Sequence, residues 1–181
     1  MEQEVTLEVL EALEALESNV VEACANVYRG YLTACVSIGT DYFVKFGDPG
    51  TLWPEHQTQS YIFDYAMSNP HYVAPRIPRV VHYFRNRWTA YLVMEFITLT
   101  APPPDLIDRT TQALVWLSNV PPPPNHAIGP LGGGRIRHRF FDDYEAPLLF
   151  SSVDALQRYM DRVRLSFIFS RSHASFTNMH I

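Results

Sequence analysis

Two apolar runs, Ala34-Cys35-Val36-Ser37-Ile38 and Tyr42-Phe43-Val44-Lys45-Phe46, are separated by Gly39-Thr40-Asp41 and closed by Gly47. β-Branched and aromatic residues fill both runs, and turn residues lie between them, so the segment is predicted to fold as an antiparallel hairpin. Its second arm carries the only lysine of the chain; the other thirteen basic residues are all arginine. A strand lysine commonly blunts an exposed sheet edge. It can also grip phosphate, when a rigid strand holds the ammonium and a carboxylate on a neighbouring helix fixes it. The rest of the sequence favours the second reading.

Around this hairpin the order reads helix, hairpin, helix, hairpin. Residues 5–17 have helical spacing, with Leu7, Leu10, Leu13 and Leu16 apolar, Val20 or Val21 continuing the stripe, and glutamates between. Trp53-Pro54-Glu55 opens the second helix, since proline suits a first helical turn and glutamate follows well there. Gln59, Ile62, Phe63 and Ala66 face inward, and the helix stops near Ser68-Asn69-Pro70. Residues 79–84 and 88–97 form a second hairpin around Arg85-Asn86-Arg87. Helical spacing returns over 105–119, with Asp105 as N-cap and Leu106, Ile107, Ala113, Leu114 and Leu117 apolar. Residues 120–150 read as loop and 152–165 as a further helix. The glycine run at 129–134 is a surface loop: no strand precedes it and no Gly-Lys-Ser/Thr follows.

Composition narrows the function. Of the 181 residues 47% are hydrophobic, enough to fill a core, and the length allows one domain or one lobe with part of a second. A net charge of -5 argues against broad nucleic-acid binding. Seven glutamates and no basic residue precede Arg29, so the N-terminal helix is acidic. No apolar run reaches the ~18 residues of a membrane span. No positively charged leader is evident, and a reducing, soluble, cytoplasmic setting follows. Cys24 and Cys35 offer neither a disulfide framework nor a metal pattern and read as small buried hydrophobes. The seven histidines fall at 56, 71, 82, 126, 138, 173 and 180, without the spacing of a metal site.

Glu55, ten residues beyond Lys45, is the candidate partner for its ammonium, with Gln59 one turn later as a substitute. Backbone groups from Glu95 through Phe96 to Ile97 lie where the strand Tyr91–Ile97 breaks before Pro102, and they suit an adenine edge, with Met94 lining the slot. Three segments, in this order and spacing, resemble the aminoglycoside phosphotransferase and choline kinase-like family, fungal type. They are Val36–Gly47; Ile77–Phe84 leading into Tyr91–Ile97; and Ile128-Gly129-Pro130-Leu131-Gly132-Gly133-Gly134 continuing through Arg139-Phe140-Phe141-Asp142-Asp143. The resemblance spans roughly residues 27–181. It implies an α+β, protein kinase-like fold: an acidic helix at 1–26, a small lobe at 27–98, and a mainly helical large lobe at 99–181. Lys45 would hold ATP phosphates and Glu55 would pair with it.

The resemblance also shows where the chain departs from the family. Catalysis there uses H-x-D-x-x-x-x-N, whose aspartate orients the acceptor hydroxyl and whose asparagine holds magnesium. Here His173 matches, Ser175 stands at the aspartate position and His180 at the asparagine position, with Asn178 two residues early. A serine hydroxyl is no base near neutral pH, and imidazole is a poor ligand for magnesium, which prefers oxygen. The sequence ends at Ile181, before the family's second metal-binding aspartate and the helices that complete the large lobe. An ATP-binding protein with little phosphotransfer and doubtful use of Mg2+ is therefore expected, its acceptor unassigned. A non-catalytic nucleotide- or protein-binding pseudokinase remnant is the alternative; an incomplete chain whose missing C-terminal half would restore the loop and metal site is a third reading, and an α+β scaffold without a nucleotide site a fourth. The apolar run Leu165-Ser166-Phe167-Ile168-Phe169 is expected to be left uncovered, open to self-association or a protein partner.

Overall fold

The computed structural model describes residues 7–25, 27, 33–70, 74–126 and 128–163. Two compact units divide the chain, Met1–Pro121 and Pro122–Ile181. The first contains α1 (Leu7–Ala25), β1 (Thr33–Ile38), β2 (Tyr42–Gly47), α2 (Pro49–Ser68), β3 (Val80–Asn86), β4 (Thr89–Glu95) and α3 (Leu106–Ser118). Its four strands form one antiparallel sheet in the order β1-β2-β4-β3. The unit is thus α+β, with β2 and β4 in the interior of the sheet. The division between the two units falls inside the second proline run. Tyr61 of α2 donates to the Pro121 carbonyl at 2.6 Å, and the Tyr65 ring meets Trp116 of α3, which ties α3 to the first unit.

The first hairpin lies where the sequence puts it. Ile38 pairs with Tyr42, leaving Gly39-Thr40-Asp41 as the turn, and Gly39 takes φ 59°, a conformation that costs a side chain but not glycine. In the second hairpin Asn86 pairs with Thr89, so the turn is Arg87-Trp88 and Trp88 does not open the strand as expected. Ring packing accounts for this register. Phe84 stands opposite Tyr91, and their rings stack at 4.8 Å, which a turn at 85–87 would prevent.

Each face of the sheet has its own helix. Val44, Phe46, Phe84, Tyr91 and Val93 turn to one side and form a buried cluster with Val20 and Cys24 of α1. Rings run across this side: His82 on Phe84, Phe84 on Tyr91, Tyr91 on Phe46. Leu16, Val20 and Cys24 of α1 reach the core at four-residue spacing, with Val21 packed beside them, while Leu10 stays 47% exposed. The three-residue leucine spacing of the sequence could not stay on one side, because each such step slips back about 60° around a 3.6-residue helix. Leu52, Leu92, Met94 and Tyr83 occupy the opposite face, across which α2 packs. Cys24 is buried as expected, but Cys35 is exposed, because it lies on edge strand β1 at the margin of the α2 side.

Two helix starts correct the sequence reading. α2 begins at Pro49, not at Trp53; Asp48 is its N-cap and accepts the Thr51 amide at 2.9 Å. Pro54 therefore lies inside the helix, where it forfeits one backbone bond. Asp105 occupies the cap position of α3 but caps no amide; its carboxylate takes both contacts from Arg109 Nε at 2.9 Å. The apolar residues of α3 do not form a buried stripe: Ile107 is 81% exposed, and no α3 residue is buried.

The second unit holds a tight turn at Asp142–Tyr144, in which Asp143 and Tyr144 take φ 55° and 59°, and a helix over 153–163 whose first turn is capped by Ser152. The 129–134 segment is loop, with Gly129, Gly132, Gly133 and Gly134 all at positive φ. Residues 164–181, including the Leu165–Phe169 run, lie outside the described residues. Among the described residues no helix is long and apolar enough to cross a membrane.

The two-faced sheet predicts unequal costs of truncation. Phe46→Ala, at 1% exposure beneath α1, should cost about 3–5 kcal/mol. Ile107→Ala should change stability by less than about 0.5 kcal/mol. Urea denaturation of the two variants measures both; equal losses would contradict this core.

Candidate functional site

Alternation along β2 decides where Lys45 points. Val44 and Phe46 are buried toward α1, so Lys45, between them, must project to the α2 side. There its Nζ donates to Glu55 Oε1 of α2 in an ion pair. Because α2 starts at Pro49, Glu55 sits in its second turn. The favourable dipole at a helix start acts within the first turn and does not account for a glutamate here. Gln59, the substitute partner, is engaged elsewhere and donates to the Pro78 carbonyl at 2.7 Å.

The pair is accessible. The Lys45 and Glu55 side chains are 34% and 35% exposed, in contrast to the sealed α1 side. α2 packs over β4, β3 and β2, and β1 lies at its margin. Cys35 stands directly opposite Lys45 on the same face, exposed, and Ser37 follows it. The sheet thus has an open corner beside the ammonium. Phe43 and Met94 are cross-strand partners on this face, and Leu92 is the partner of Lys45.

Beyond β4 the backbone is partly committed. Glu95 N–H donates to the Arg79 carbonyl and Phe96 N–H to the Asp41 carbonyl, both at 2.9 Å. Of the three amides expected to serve an adenine edge, two are therefore used by the fold, and only Ile97 N–H has no partner among the described residues. The Glu95 side chain turns outward to Arg76 Nη2 at 3.3 Å. Lys45, Glu55 and Met94 share one face of the sheet, and Ile97 lies just past its end. His173, Ser175 and His180 lie outside the described residues. Among the described residues no group of three or more His, Cys, Asp or Glu side chains is placed to hold a metal ion.

Two histidine contacts were not foreseen in the sequence. His82 Nε2 meets Glu17 Oε1 of α1 at 2.8 Å. His56, next to Glu55, stacks on Tyr83 at 4.9 Å and touches Trp53. The only sequence signal was their placement on α2 and β3, which does not say that they meet aromatic rings.

Burial, and then the charge of His82, hold the His56 pKa below its ordinary 6.5. An unfolded chain then binds a proton at this residue more readily than the folded one. The resulting stability is present above about pH 6.5 and is lost as pH falls toward the folded pKa. The NMR titration midpoint of the His56 ring should lie below 6.5, and His56→Gln should remove part of the acid-side loss of stability. A midpoint at or above 6.5 would refute the assignment.

No family model, no curated protein and no solved structure matches this chain, so its function rests on the geometry above.

Proposed function

We propose that the first unit is a kinase-like small lobe of the aminoglycoside phosphotransferase type, that it binds ATP, and that the chain transfers phosphate poorly. The observation that carries this reading is the Lys45–Glu55 pair beside an open corner of the sheet. An ammonium fixed by a helix carboxylate, yet one-third exposed, retains hydrogens and charge for phosphate oxygens. Glu55 holds its direction, and the β2 ladder holds its base. Ile97 N–H supplies the hydrogen-bond donor that an adenine ring nitrogen needs, with Met94 and Phe43 as apolar neighbours.

Weak transfer follows from the substitutions in the loop. Phosphoryl transfer depends on oxygen ligands that hold magnesium and on a carboxylate that orients the acceptor hydroxyl. Ser175 and His180 provide neither. Binding through Lys45 and the strand backbone does not need them. ATP should therefore bind without requiring magnesium.

A second reading is a purely structural ion pair joining β2 to the helix that packs on it, favoured by each charge being already matched by the other. The two readings separate cleanly. Under the proposal, ATP raises the melting temperature with or without magnesium, as ligand linkage requires. Lys45→Ala abolishes that rise while changing the stability of the free protein by no more than about 1 kcal/mol. ATP also slows alkylation of exposed Cys35, while buried Cys24 stays unreactive throughout. No thermal shift and no protection of Cys35 would leave the structural reading. Robust magnesium-dependent turnover lost in Lys45→Ala would uphold the site and overturn the claim of weak transfer.

A further inference from the structure

The tip of the β3–β4 hairpin carries the most exposed large apolar side chain described, Trp88 at 91%. It sits in a two-residue turn next to Arg87, which holds φ 54°. Arg85 and Arg87, both exposed, add positive charge to the tip. None of these residues belongs to the Lys45 face's open corner or to the α1 core.

Directly beside the tip lies a hollow of the opposite charge. Asn86 and one side of α1 line a cavity of about 600 Å³ that includes Glu14, Glu17, Val21, Glu22 and Ala25. Glu17 is committed to His82, which leaves Glu14 and Glu22 facing outward beside an apolar lining. A tryptophan on a cationic tip and an acidic hollow with apolar lining are thus neighbours on one surface.

We propose that a second copy of this chain docks here, with the Trp88 tip of each copy seated in the α1 hollow of the other. Two adjacent, complementary features on one surface are both satisfied by a single two-fold axis between them, as in an isologous dimer. Arg85 and Arg87 then meet Glu14 and Glu22 across the axis, and the indole fills the hollow. Tryptophan and arginine are the residues that most often dominate such contacts. An anionic membrane fits less well, because the same approach brings Glu14 and Glu22 against its headgroups, and the chain already carries net charge -5. A tip-in-hollow contact is small, at the low end of interface areas, so the dimer is weak and its ion pairs are screened by salt.

Sedimentation velocity of the full chain at low salt, over a range of concentrations, tests this. The wild-type chain should dimerise reversibly, and high salt should weaken the dimer. Trp88→Ala, an exposed position where folding is not at risk, should weaken it by at least about tenfold. The double variant E14R/E22R and the double variant R85E/R87D should each be monomeric, and their circular dichroism should show the wild-type fold. Mixed together they should form a heterodimer, since each basic tip then meets an acidic hollow and each acidic tip a basic one. A wild-type monomer at sub-millimolar concentration, a dimer indifferent to Trp88→Ala, or no heterodimer from the mixture would overturn the proposal. So would Trp88-dependent binding of the monomer to anionic phosphatidylserine vesicles.

Discussion

The period-two alternation of β2 is the constraint on which the first unit rests. Val44 and Phe46 are drawn into the core beneath α1, with exposures of 0% and 1%, and this burial contributes about 1.5–3 kcal/mol for each side chain. Lys45 has no choice of side after that. A one-residue slip of register would bury the ammonium among aromatic rings and expose two core residues together. The apolar side of the sheet therefore aims the only lysine at α2, and the stability of one face fixes the chemistry of the other.

The two helices contribute differently. α1 covers its face with Leu16, Val20, Val21 and Cys24, packed on the ring row from His82 to Phe46. α2 covers only part of the opposite face. It is rooted by the Asp48 cap and by Leu52, which is fully buried, and it meets Tyr83 through Trp53 and His56. Its coverage thins toward β1, where Cys35 and Ser37 remain exposed. The difference is visible in how polar groups are treated. The α1 side tolerates one histidine, paired with Glu17, whereas the α2 side keeps an ion pair in contact with water.

Much of this was legible in the sequence, and the failures have physical causes. Both hairpins, and the helix between them, follow from turn residues and apolar periodicity. So does the placement of Lys45 on a strand and Glu55 on a helix. Helix starts were misread because Pro49 and Pro54 both suit a first turn, and only the Asp48 cap distinguishes them. The turn at Arg87-Trp88 was missed because Phe84–Tyr91 stacking, a cross-strand contact, sets the register. The apolar residues of α3 were visible, but their exposure was not, since periodicity shows a stripe and not what covers it. The commitment of Glu95 and Phe96 amides to Arg79 and Asp41 depends on pairings between distant segments that no local pattern encodes.

Binding and turnover make separate demands on a chain like this. The proposed nucleotide contacts draw on a strand lysine, a helix carboxylate and a backbone amide, all held by the sheet. Their geometry is maintained by packing that the fold needs in any case: loss of Val44 or Phe46 would harm stability before it harmed a ligand site. Under the proposed reading, a serine hydroxyl at 175 and an imidazole at 180 supply neither the base nor the hard metal ligand that transfer needs. Binding, under the same reading, needs only the first set, so the Lys45 contacts answer either to folding or to a ligand. The Lys45–Glu55 pair distinguishes these two pressures, because a pair one-third exposed adds at most about 1 kcal/mol to stability. Folding alone gives weak grounds for a lone lysine held so deliberately against a helix carboxylate; a ligand that needs both charge and direction gives stronger ones.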